Sequence, residues 1–211
     1  MYIPESFQQD DSEAIQALIA NHPLATLVTT ADGKLEANHI PLLYLQPSDA
    51  APQGKLLGHV AKANQMWKTN QSGALAIFQG PEQYISPNWY PSKHETGRAV
   101  PTWNYTVVHI HGILTFYQDA EWLRDAVTKL TDYQEAAQSS PWQVTDAPAD
   151  YINGMLKAIV GLELHITRIE AKWKVSQNRT KEDRTAVANA LTATQDTGAQ
   201  AMALLVNPIG D

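Results

Sequence analysis

The chain has 211 residues, of which 44% are hydrophobic and 18% charged, with a formal net charge of −7. That composition describes a globular chain, one large domain or a domain with a small appendage, long enough to bury about 70% of its unfolded surface. It has no cysteine, which excludes disulfides, thiolate metal sites and cysteine nucleophiles, and its acidic balance argues against broad nucleic-acid binding by the monomer surface.

Read in chain order, Asp10 with Glu13 forms a capping box, and Ile15, Leu18 and Ile19 form the stripe of a short helix ending at Pro23. Leu24–Thr30 is predicted as a strand, Asp32-Gly33 as a hairpin turn and Lys34–Leu45 as the return strand. Alternation puts Leu35, Ala37, His39, Pro41 and Leu43 on one face of that strand. Pro41 cannot donate to a ladder, so the strand should be an edge or carry a bulge there, opening its backbone to a ligand. Gln46–Gly54 reads as a loop, Lys55–Val60 as a third strand and Lys62–Lys68 as a short helix. Gly73–Gln79 is a fourth strand, closed by Gly80-Pro81.

The stretch Tyr84–Tyr105 carries five of the 17 aromatics (Tyr84, Trp89, Tyr90, Trp103, Tyr105), three prolines, Lys93 and Arg98. It shows no period of two and reads as a stiffened loop presenting rings and cations, suited to a planar, anionic ligand or to a subunit interface. A long strand, Trp103–Tyr117, follows. Asp119 then starts a helix with Trp122, Leu123, Ala126, Val127 and Leu130 at helical spacing. After a polar stretch, Gln134–Pro148, comes a second helix carrying Ile152, Met155, Leu156 and Ile159. Ile159–Glu170 is a last strand, and the tail from Lys181 is alanine-rich and weakly helical. Strands first, helices inserted late and a closing strand give an antiparallel barrel with peripheral helices, an α+β arrangement.

No apolar run approaches the ~18 residues that cross a bilayer, and no signal peptide is visible at the N-terminus. A cytoplasmic location is expected, so the Asn-x-Ser/Thr matches at Asn70, Asn104 and Asn178 are read as accidental.

Five ordered motifs make the chain resemble the PaiB family from Met1 to about Val187: MYIPESF, GHVAKANQMW, YISPNWYPSK, VPTWNYTVVHIHG and KWKVSQNRTKEDR. The family is described as bacterial FMN-binding negative transcriptional regulators within the split β-barrel flavoproteins, which include pyridoxamine phosphate oxidase. The resemblance implies a split-barrel FMN-binding domain over residues 1–180, with residues 181–211 as a helical tail packed on or beside it. By the same resemblance, His59, Lys62 and Asn64 go to the phosphate and ribityl end of FMN, with His39 as a nearby polar contact. A lysine beside a helix N-terminus would suit a phosphate, although an ordinary exposed lysine would look the same.

Trp103, Asn104 and Tyr105 combine ring stacking with an amide that can meet both donor and acceptor edges of an isoalloxazine. In Lys172–Arg179 three cations surround Ser176, Gln177 and Asn178, and alternation sets Lys172, Lys174, Ser176 and Asn178 in a donor-rich row. Such a row suits a phosphate or the carbonyl edge of a flavin, or is a solvated strand end before a helix capped by Thr180. His109 and His111 share a strand face, but two nitrogens are too few for a metal and no third ligand stands at telling spacing. Some relatives of the barrel bind haem through a histidine, which keeps a haem reading open.

Three functions follow from these readings. The first is an FMN-loaded homodimeric regulator. The second is a flavin-dependent oxidoreductase of the pyridoxamine phosphate oxidase kind, in which the flavin carries the reaction. The third is an interaction module that has lost its flavin. No catalytic acid, base or nucleophile stands out. No helix-turn-helix is visible, which favours an indirect effect on transcription over a base-reading helix.

Overall fold

The structure, a computed structural model, describes residues 1–31, 33–68 and 73–207; Asp32 of the expected hairpin turn, Asn70 and the last four residues of the tail lie outside the described residues. The strands are β1 (Leu24–Ala31), β2 (Lys34–Pro41), β3 (Leu43–Leu45), β4 (Lys55–Ala61), β5 (Ala74–Ile85), β6 (Thr102–Tyr117) and β7 (Ile159–Lys174). They form one seven-stranded sheet in the order β2-β1-β5-β6-β7-β4-β3. The helices are α1 (Ser12–Asn21), α2 (Pro91–Thr96), α3 (Ala120–Glu135), α4 (Ala149–Leu156), α5 (Lys181–Thr192) and α6 (Thr197–Val206). This is the α+β, antiparallel split-barrel architecture expected from the strand and helix order. The chain divides into two compact units.

The first unit comprises Met1–Asn21, Gln79–Val108 and Glu170–Asp211. Its α1 starts one residue later than the capping pattern predicts, because Asp11, not Asp10, accepts the Glu13 amide (2.9 Å). Leu18 of α1 lies so close to Gly80 that a Cβ there would stand 2.9 Å from Leu18 Cδ1 and 2.4 Å from Thr106 Oγ1. Gly80-Pro81 does not end β5 as expected; the strand runs on to Ile85. The register of β1 with β5 ends at Thr26↔Ile77, so a proline four residues further on removes no N–H from that ladder.

The aromatic segment is also more regular than a loop. Tyr84 ends on β5, Trp103 and Tyr105 stand on β6, and between them lie a 3-10 turn, Pro87–Trp89, and α2. Gly97, at φ +68, stops α2 in the left-handed conformation that glycine adopts at no steric cost. Tyr90 is fully buried. The tail folds into α5 and α6, which pack together and bury Val187, Leu191, Met202 and Val206. Thr180 Oγ1 caps α5 as predicted, and Arg184 Nε donates to the Val206 carbonyl at the end of α6 (2.9 Å).

The second unit comprises His22–Phe78 and His109–Ile169. β1 pairs antiparallel with β2 from Leu24↔Pro41 to Ala31↔Lys34, and with β5 from Thr26↔Ile77 to Thr29↔Ala74. The predicted return strand Lys34–Leu45 divides at Leu42. β2 is an edge, as Pro41 implied, and β3 leaves it to pair with β4, Leu43↔Leu57 to Leu45↔Lys55. At the break the Leu42 amide donates to the Pro23 carbonyl (2.9 Å). The expected helix at Lys62–Lys68 is a turn followed by a four-residue 3-10 helix, Gln65–Lys68.

The first late helix behaves as its periodicity predicts; in the second, Ile152 and Leu156 are buried, but Met155 is exposed and Ile159 begins β7. Asp119 caps α3 through the Trp122 amide (2.8 Å). Leu123, Val144, Ile152 and Leu156 make a small core beneath α3 and α4, with Trp122, Val127, Ala147 and Ile159 against it. Trp122 stacks on Tyr117 at 4.1 Å, and its ring occupies the space where a Cβ of Gly161 would stand, 2.0 Å from Cζ3.

Candidate functional site

The predicted site residues fall into two groups, one in each unit. In the first unit β6 and the end of β7 bring together Trp103, Asn104, Tyr105, Lys174, Ser176, Gln177 and Asn178. β7 extends to Lys174, four residues past the predicted end, so Lys172 and Lys174 are strand residues. The strict alternation stops there, because Ser176 turns the chain at φ +66.

This turn engages most of its own donors. Gln177 Oε1 accepts from the Val175 amide (2.8 Å) and its Nε2 donates to the Trp173 carbonyl (2.6 Å). Asn104 Nδ2 donates to the buried Ser176 hydroxyl (2.9 Å). Lys174 Nζ donates to Thr102 Oγ1 (2.6 Å) and to the Trp103 carbonyl. Trp103 meets Tyr84 edge-on at 6.0 Å and donates its indole N–H to Glu82. Asn178 alone of the predicted row is exposed.

The cations of this segment sit among rings. Lys172 is buried, with Nζ 5.2 Å from the centre of the Tyr105 ring and 5.8 Å from that of Tyr2, and the Arg179 guanidinium lies 4.6 Å from that of Tyr90. Burial, together with the positive charges of Lys172 and Arg179, holds the Lys174 ammonium below the usual lysine range.

In the second unit the predicted residues are His39, His59, Lys62 and Asn64. His39 faces solvent on the edge strand β2. Asn64 holds the turn after β4: its Nδ2 donates to Asn38 Oδ1 (2.8 Å) and its Oδ1 accepts from the Met66 amide (3.0 Å). The Lys62 amide donates to the Ala158 carbonyl (2.8 Å) and its carbonyl accepts the Trp67 indole N–H (3.0 Å). Its exposed ammonium has no partner among the described residues. The helix N-terminus expected beside it is absent, since the turn is too short and the lysine's own N–H is taken.

His59 has a different setting. It lines a cavity of about 350 Å3 with Pro23 and Leu24 from the start of β1, Pro41 and Leu42 from the end of β2, and Leu130 and Gln134 from α3. The ring keeps contact with solvent, but the concave surface around it pushes the imidazole pKa down by burial. Among the described residues, neither Lys62 nor any other charged side chain lines the cavity.

Two further features escaped the sequence. Glu163, one carboxylate within the apolar run of β7, is buried, with Lys55 on Oε1 and, on Oε2, the Tyr117 hydroxyl (3.1 Å) and His165 Nε2 (3.3 Å). Burial and this carboxylate raise the Tyr117 pKa. His111 Nε2 lies 3.0 Å from Arg168 Nη2, and no cluster of three metal-ligating side chains occurs among the described residues.

Residues 1–168 match the family described as "Putative FMN-binding domain". The chain is 32% identical over 208 residues to Protease synthase and sporulation protein PAI 2 of Bacillus subtilis, covering 98% of this chain and 96% of that one. An uncharacterized protein of Emericella nidulans is 32% identical over 222 residues, covering 89% and 88%. Among solved structures, the FAD and heme binding protein of Mycobacterium smegmatis superposes with a TM-score of 0.58 at 15% identity, over 79% of this chain and 73% of that one. The flavocytochrome Anf3 of Azotobacter vinelandii gives 0.57 at 14%, over 84% and 74%. At those identities the likeness is one of fold. The chain belongs to the PaiB-type family of FMN-binding proteins, and FMN is its cofactor.

Proposed function

We propose that this protein is an FMN-loaded homodimer that acts as a negative regulator of transcription through a partner or a redox signal, without a base-reading helix of its own. The observation that carries this reading is the open sheet surface of the second unit. Leu35 is 79% exposed and Ile113 52%, beside a depression of about 570 Å3 that Val28 and Leu75 also line. An apolar β surface of this kind suits an isologous contact with a second copy. Its occupation would leave FMN at or near a subunit boundary.

The donor chemistry fits the cofactor. The Lys62 ammonium, unpartnered among the described residues, offers a full cation to the FMN phosphate. FMN supplies the redox chemistry when bound. The late helices support an indirect effect on transcription. Residues 136–148 separate α3 from α4, far more than the tight turn of a helix-turn-helix. Two of their few cations are engaged, Arg124 with Asn153 (2.6 Å) and Lys129 with Asp125 (2.6 Å). The relative whose name ties it to protease synthesis and sporulation, PAI 2, agrees with a regulatory role.

Three measurements test the proposal. Sedimentation of the yellow, flavin-loaded protein should give twice the 23.3 kDa chain mass; a stable monomer at micromolar concentration overturns the dimer. With FMN, oxygen and pyridoxamine phosphate, hydrogen peroxide should stay at background, and rapid peroxide formation would favour the oxidase reading. Binding to its own upstream DNA should be weak and steeply salt-dependent, and nanomolar, sequence-selective binding would overturn the indirect route.

A further inference from the structure

We infer that the cavity at His59 is a binding site for a small uncharged aromatic molecule with a polar edge, a ligand chemically unlike the phosphate-bearing cofactor. The inference does not rest on the regulatory reading. The walls are Pro23, Leu24, Pro41, Leu42 and Leu130, and the two prolines fix the backbone where β1 begins and β2 ends. The volume of about 350 Å3 lies toward the small end for ligand pockets and suits one or two fused rings. Leu24, 60% exposed, leaves an apolar rim at its mouth.

Two polar groups face this apolar space, the His59 imidazole and the Gln134 carboxamide, and neither has a partner among the described residues. Each can donate and accept, so a hydroxyl or carbonyl on the ligand edge would find a match on either side. The surroundings of His59 favour its neutral form near pH 7, which keeps one ring nitrogen free to accept. With no ammonium, guanidinium or carboxylate in the lining among the described residues, a phosphate dianion placed here would lack a counter-charge. The cavity therefore selects for an uncharged body, and the two unpartnered groups select for one polar edge.

The probe is 1-naphthol, with 1-naphthyl phosphate as the charged control, titrated calorimetrically into FMN-loaded protein and again into flavin-free protein. Naphthol should bind once per chain in the sub-millimolar range in both preparations, and naphthyl phosphate should bind at least about tenfold more weakly. Leu130→Trp, which fills the space, should weaken naphthol about tenfold or more. Gln134→Ala, at an exposed position of α3 that leaves the fold intact, should weaken it about fivefold through one lost hydrogen bond. Both variants should retain full FMN stoichiometry. Failure to take up naphthol, equal affinity for the phosphate, or unchanged affinity in both variants would overturn the site. A chain that failed to take FMN but bound naphthol normally would break the cofactor reading and leave this one standing.

Discussion

Two donor-rich stretches that look alike in the sequence, Gly58–Asn64 and Lys172–Arg179, are put to different uses. In Lys172–Arg179 nearly every polar side chain is engaged inside its own unit: Gln177 braces the turn, Ser176 receives Asn104, and Lys174 ties down the start of β6. In Gly58–Asn64 only Asn64 is used in that way, while Lys62 and His59 keep their side chains unpartnered among the described residues. A donor is available to a ligand only after the fold has taken what it needs. Residue type therefore ranks candidates, and the hydrogen-bond inventory separates those that hold the fold from those free to bind.

Substitutions can break that contrast, and the largest expected effect comes from a group wholly committed to the fold. Lys55→Met leaves the buried Glu163 without its cation and should cost about 3 kcal/mol in urea unfolding. Adding Glu163→Leu should recover most of that loss, because an apolar replacement removes the stranded charge. A single variant as stable as the parent would show that Tyr117 and His165 suffice to hold the carboxylate.

The next effect is on ligand affinity. Lys62→Met should weaken FMN by about 2 kcal/mol, roughly thirtyfold, in a flavin-fluorescence titration, and should leave riboflavin and the flavin-free melting temperature unchanged. Equal losses for the two flavins would mean that Lys62 does not meet the phosphate.

The committed stretch should answer in the opposite sense. Asn104→Leu strands the buried Ser176 hydroxyl and should cost about 2 kcal/mol of stability, and Gln177→Ala should cost about 1 kcal/mol by loosening the turn. In both, a fall in flavin affinity larger than the fall in stability would show that these groups serve the ligand after all.

The smallest effect is a pH dependence at His59. Its folded pKa is lowered by burial, so as the pH falls through the ordinary imidazole value of about 6.5 the unfolded chain takes up the proton first. Stability should therefore decline from about pH 7 downward until the folded pKa is reached, and His59→Asn should flatten that part of the curve. A parent curve already flat across this range would place the imidazole in ordinary solvent.

Much of the architecture was legible in the residues. The residues marked out β1, β4 and β6 as strands, helical spacing located α3, and Asp119 and Thr180 declared themselves as caps. The misreadings share a cause. Gly80-Pro81 resembles a strand end, yet β5 continues to Ile85 and its β1 register, Thr26↔Ile77 to Thr29↔Ala74, ends before Pro81. Lys34–Leu45 resembles one strand, yet it divides at Leu42 because the residues after the break pair with β4. Asp10 and Asp11 are equivalent as letters, and only the helix register selects Asp11.

The sequence by itself determined the family, the cofactor and the order of strands and helices, because motifs, periodicity and caps are local and survive in one dimension. The tertiary structure alone decided which donors are free. Whether Lys62 can meet a phosphate depends on no carboxylate reaching it, and whether Gln177 can meet a flavin depends on Val175 and Trp173 having claimed it first. The same holds for the cavity at His59, whose walls come from β1, β2, β4 and α3. Its polarity is a sum over residues distant in the chain, and a sum of that kind exists only after the chain has folded.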